Sequence, residues 1–136
     1  MNLSMKNLSL VFTAGLFGGL VNCLIVWLFG KLGIPQALEV QIAPPLTTAF
    51  IYPELVWGGL WGLLFLIILG RLSFPVKGLL ISLLPSMVQL FWVFPFIVRK
   101  GILGLQLGAL TPLVVLIYTA LWGIPAGLWL KWALPD

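Results

Sequence analysis

Residues 8–32 read LSLVFTAGLFGGLVNCLIVWLFGKL, a stretch whose first charge is Lys31. An α-helix rises 1.5 Å per residue, so about 20 apolar residues cross the ~30 Å hydrocarbon core of a bilayer. This stretch is long enough, and three more follow it, at about 46–69, 78–98 and 108–132. Transmembrane strands would be about ten residues long with alternating polarity, and none of the four runs alternates. The sequence therefore predicts an all-α integral membrane protein, a four-transmembrane-helix bundle forming a single domain over 1–136.

The composition leads to the same place. Of 136 residues, 62% are hydrophobic and 7% are charged, whereas a soluble domain carries roughly 25% charged residues. Ten charges cannot cover a water-facing surface, so the lipid bilayer is the expected solvent and partner. The net charge of +4 comes from Lys6, Lys31, Arg71, Lys77, Arg99, Lys100 and Lys131 against Glu39, Glu54 and Asp136. The basic residues sit singly or as one pair at the ends of apolar runs, where interfacial anchors belong. They form no clustered basic face, and no nucleic-acid partner is expected. With no histidine and one cysteine, Cys23, the chain lacks ligands for a zinc, iron–sulfur or haem site, so no metal and no cofactor is expected. The first run exceeds the 7–15 residues of a signal-peptide core and reads as a retained span.

The connections differ in character. Residues 33–45, with Gly33, Pro35, Gln36, Glu39, Gln41, Pro44 and Pro45, are the most polar stretch; Gly70 to Lys77 reads as a tight turn with Ser73 and Pro75. Residues 99–107 carry Gly101, Gly104 and Gln106. One side of the membrane then holds Lys6, Arg71, Lys77 and Lys131, and the other Lys31, Arg99 and Lys100. Four against three favours both termini on the cytoplasmic side, in a bacterial-type inner membrane, by the excess of Lys and Arg.

A shift of 65 residues aligns two halves, 1–70 and 71–136. Trp27-Leu28-Phe29 falls on Trp92-Val93-Phe94, and Trp57-Gly58 with Gly62 falls on Trp122-Gly123 with Gly127. Chance would match about 0.2 Trp pairs at such a shift. Each half holds two spans, so the halves would be parallel repeats rather than inverted ones.

Gly15 and Gly19, Gly58 and Gly62, and Gly123 and Gly127 each place small residues one turn apart on a helix. Lipid supplies no hydrophobic force between helices, and small residues let backbones approach closely enough for dispersion contacts. These faces predict helix packing within the bundle or against a partner. On the first span Asn22 and Cys23 continue the glycine face; on the third Ser82, Ser86 and Gln89 share a stripe beside Pro85. Polar side chains at that depth must find partners. Glu54, Asn22, Gln89, Ser86 and Arg99 are therefore the candidate polar path.

Glu54 is the one acid within an apolar run, and two placements compete. If the helix starts at Tyr52, Pro53 takes its first position and Glu54 caps the positive end of the helix dipole. If the span begins near Leu46, Pro53 is a kink and Glu54 lies ~12 Å along the helix. An ionisable group there is a functional site by default, and Arg99 or Lys100 is the expected counter-charge.

Catalysis finds no motif. There is no histidine, no pair of acids at helical spacing, and the only thiol lacks a base, so no Ser/His, paired-Asp or His–Glu metal chemistry is available. The expectation is a non-enzymatic protein: an accessory or assembly subunit, or a homo-oligomer, packed through its glycine faces, with tryptophans setting its depth. The alternative is a small transporter or channel for an ion or small molecule, using the Glu/Asn/Gln site.

Overall fold

The computed structural model describes residues 4–67 and 73–134. Gly70, Arg71 and Asp136, and the last two positions expected of the second span, lie outside the described residues. The described residues contain helices and no strands. Four helical segments are long and apolar enough to cross a membrane: Met5–Leu32, Thr48–Ile67, Phe74–Val98 and Thr111–Ala133. The chain is a multi-pass membrane protein with the all-α four-helix architecture expected.

Local chemistry sets the boundaries. The first span starts three residues earlier than the apolar run because the Ser4 side chain accepts from the Asn7 amide at 3.2 Å, meeting one of the orphan donors of a helix start. It ends at Gly33, whose φ of 80° suits a left-handed cap. The third span begins at Phe74 rather than near 78, with Pro75 in its first turn, where a missing N–H is harmless. Lys77, read above as loop, lies inside this helix with its ammonium 5.2 Å from the Phe74 ring centre. Within residues 33–45, Ile34–Ala37 forms one helical turn.

The four spans lie in the order second, first, fourth, third. The first packs on the second and on the fourth, and the fourth packs on the third, but the second and third do not pack along each other. Neighbours run antiparallel: Gly15 meets Gly58 while Val11 meets Gly62, and Gly78 meets Gly123 while Phe74 meets Gly127. Each outer helix thus lies against its inner neighbour with backbone touching backbone, a distance only glycine allows. A Cβ on Gly15 would collide with the Gly58 carbonyl, and one on Gly78 with that of Gly123.

These two interfaces correspond residue by residue with an uneven offset. Gly58 and Gly62 stand 65 residues before Gly123 and Gly127, while Val11 and Gly15 stand 63 before Phe74 and Gly78. Further along the third span, residues Gln89–Val98 are π-helical around Pro95. A π turn takes in one residue more than an α turn, which is the direction needed to move the offset from 63 toward the 65 of Trp27 and Trp92.

Buried apolar residues form one cluster around Val11, Ala14, Phe65, Ile81, Trp122, Ala126 and Leu130, and a second around Val26, Val40, Val114 and Tyr118. The second is closed by the two longer connections. Gln41 N–H donates to the Leu107 carbonyl at 2.9 Å, and Tyr118 Oη donates to the Ile42 carbonyl at 3.3 Å. The outward faces carry Leu20, Leu24, Leu28, Leu79, Leu83, Met87 and Phe91 exposed. Such a continuous apolar surface is stable only against lipid or another protein.

Candidate functional site

Because the second and third spans meet only at one end, near Phe65 and Gly78, a cleft of about 540 Å³ remains between them. Its floor comes from the two inner helices and its walls from the two outer ones.

The second span supplies Pro53, Glu54, Trp57 and Trp61. Positions 54, 57 and 61 are spaced i, i+3 and i+7, so a helix turns all three side chains to one face. Gly58 and Gly62 of this span lie against the first helix, and Gly58 also borders the cleft. The third span supplies Pro85, Val88, Gln89 and Trp92 at i, i+3, i+4 and i+7. Asn22 rises from the first helix, and Thr119 and Trp122 from the fourth.

The helix starts at Thr48 and contains Pro53 in its interior, which decides between the two placements of Glu54. The proline is a kink, not a first-turn residue, and Glu54 sits about 9 Å into the span at 1.5 Å per residue. Its backbone carbonyl lies against Gly19, and its side chain meets Asn22, whose Nδ2 donates to Glu54 Oε2 at 3.1 Å. Glycine at 19 is what lets the second helix come near enough for this bond. Among the described residues Glu54 makes no ion pair. Arg99 and Lys100, the expected counter-charges, are exposed where the third span ends, and neither lines the cleft.

Asn22 itself is 7% exposed, and its Oδ1 has no hydrogen-bond partner among the described residues. A buried amide oxygen without a donor is costly, and this one belongs to a residue on the cleft floor. Gln89 lines the opposite wall with no side-chain partner among the described residues. Ser86 stands one layer behind the wall, where its single hydroxyl proton is shared between the Thr119 hydroxyl and the Ser82 carbonyl, the latter at 2.8 Å.

Asn22–Glu54 and Ser86–Thr119 occupy matching places in the two helix pairs. Each joins an inner-to-outer interface one to two turns beyond a glycine contact. The first pair contains an ionisable group and the second does not.

Of the candidate residues, the structure brings Asn22, Glu54 and Gln89 to one cleft, places Ser86 behind it and leaves Arg99 outside. The four indoles on the cleft, at positions 57, 61, 92 and 122, were read in the sequence as depth markers. Trp57 and Trp92 are each 59% exposed toward the opening, whereas Trp122 is buried and donates from Nε1 to the Gly15 carbonyl at 3.2 Å. The signal available in advance was the i, i+3, i+7 spacing of Glu54, Trp57 and Trp61.

No protein-family model, curated protein or solved structure matches this chain. The chemistry of the cleft is therefore the basis for a functional reading. One carboxyl group, the polar side chains of Asn22, Gln89 and Thr119 and four electron-rich indoles line one cavity, with no basic side chain among the lining residues. Such a set attracts positive charge.

Proposed function

We propose that this protein is a small, non-enzymatic membrane transporter or channel for a cation, with the Glu54 carboxylate as its site. The single observation that carries the reading is the Asn22–Glu54 hydrogen bond at a cleft wall, within a span and without a counter-cation among the described residues. A charged side chain in hydrocarbon costs several kcal/mol by insertion measurements (about 2.5–3.5 at a helix centre), so such residues are kept where they serve transport or binding. Asn22 orients the carboxylate, and the unpacked second and third spans give a solute access to it.

In this reading the termini face the cytoplasm and the protein resides in a bacterial-type inner membrane. The test is current in proteoliposomes challenged with Na⁺, K⁺ or a quaternary ammonium ion. The expected result is a saturable current that Glu54→Gln abolishes. A current indifferent to Glu54, or none, would overturn the reading.

A second reading is an accessory or assembly subunit, or a homo-oligomer, in which a partner helix fills the cleft. The unpacked facing sides of the second and third spans favour it. It predicts a larger complex in mild detergent and no current.

A further inference from the structure

Resting on the cation-site reading above, the geometry points to the class of solute: we infer that the cleft accepts an organic ammonium ion rather than an inorganic cation. Size is the first argument. About 540 Å³ falls within the 300–1,000 Å³ of sites for small organic molecules, and it is far more than a bare metal ion fills.

Ligand count is the second. Hard cations take six or more oxygens from several carboxylates and carbonyls. Among the described residues no three acids, cysteines or histidines come together, and the cleft offers one carboxylate.

The walls are the third. Trp57 and Trp61 on the second span stand across from Trp92 on the third, with Glu54 on the same face as the first two. An indole face attracts a cation through its quadrupole, most strongly when water is excluded, and rings around a quaternary ammonium are a recurrent recognition geometry. Glu54 supplies the full negative charge that neutralises it. The lateral position of the cleft, between two outer helices, lets an amphiphilic solute enter from the bilayer.

The probe is benzyltrimethylammonium, set against its neutral isostere 2,2-dimethylpropylbenzene, in which carbon replaces the charged nitrogen. Binding of radiolabelled probe is measured on the full chain in lipid nanodiscs. The expected result is saturable binding that Glu54→Gln and Trp57→Leu each weaken by about tenfold. Trp57→Phe should weaken it less, because a ring remains. Trp132→Leu, a change at an exposed indole outside the cleft, should leave it unaltered. Each variant is checked for helical content and a monodisperse elution, so that lost binding is read on folded protein.

Displacement by the neutral isostere as effective as by unlabelled probe would overturn the inference in favour of an apolar cleft. Displacement by millimolar Na⁺ or K⁺ would overturn it in favour of an inorganic site. If the probe fails to bind while a Glu54-dependent Na⁺ or K⁺ current persists, the inference falls and the cation-site reading stands. If neither binding nor current depends on Glu54, both fall.

Discussion

Asn22 of the first span holds Glu54 of the second through a bond of 3.1 Å from Nδ2 to Oε2, and its own Oδ1 is left without a partner. The amide is thus positioned by the carboxylate and at the same time leaves an acceptor free beside it. Hydrogen bonds to charged groups contribute about 1.5–3 kcal/mol, against about 0.6 kcal/mol for an average interhelical bond in a membrane. Asn22→Ala should therefore lower stability by roughly 1–3 kcal/mol. Asn22→Ala together with Glu54→Gln should cost less than the two changes summed, because the second removes the charge the first strands. A double-mutant cycle by thermal unfolding in nanodiscs checks this; additivity would show the two side chains to be uncoupled.

The uncharged counterpart should be weaker. Ser86 and Thr119 meet at the matching position of the other helix pair, and each hydroxyl has a backbone carbonyl as an alternative acceptor for its proton. Ser86→Ala leaves no stranded charge, so its expected cost is under about 1 kcal/mol. The same unfolding assay compares it directly with Asn22→Ala, and an equal or larger loss at Ser86 would contradict this account.

Glycine serves two different ends in this chain, and one methyl group separates them. At Gly15 and Gly78 an added Cβ would strike a backbone carbonyl of the neighbouring helix, and backbone cannot step aside without parting the interface. Gly15→Ala and Gly78→Ala should each lose about 1–3 kcal/mol, the range of overpacking. At Gly33 nothing lies within 4 Å of the added atom, and only the φ of 80° resists it, for about 1–2 kcal/mol. Gly33→Ala should leave probe binding at the cleft unaltered, whereas Gly15→Ala should impair it by moving the second span. Unfolding and binding measured on the same three variants decide the matter.

The spans were legible in the sequence because length and apolarity are properties of a single helix. Their ends were less so. Lys77 read as loop since it is charged, but a side chain that reaches its own first turn lets the helix start three residues before it. The depth of Glu54 was undecided because Pro53 suits a first turn and a kink equally; the start at Thr48 settles it. The cleft was not legible, since it arises where two helices that meet near Phe65 and Gly78 part from each other, and no residue pattern announces a missing contact. The tryptophan spacing carried part of it: Trp57 and Trp61 share a face with Glu54, which a marker of depth alone does not require.

The proposed orientation, with both termini cytoplasmic, rests on an excess of one basic residue. Cys23 is fully buried, so the native chain gives little background with a membrane-impermeant maleimide. Lys100→Cys, in the connection after the third span, should label in intact cells. Lys6→Cys, in the first turn of the first span, should label only after permeabilisation. The reverse pattern would place the termini outside, and labelling of both in intact cells would show dual topology; either contradicts cytoplasmic termini.

Protection of Glu54 from a hydrophobic carbodiimide tests the central claim most directly. Such reagents reach carboxyl groups from the lipid phase, and Glu54 is the one acid within the four spans among the described residues. Mass spectrometry of the labelled full chain in nanodiscs should find the adduct on Glu54, and its yield should fall as benzyltrimethylammonium fills the cleft while Na⁺ and K⁺ at the same concentrations leave it unchanged. A Glu54 that takes no label, or takes it equally at every concentration of all three cations, would contradict a cation site at this carboxylate.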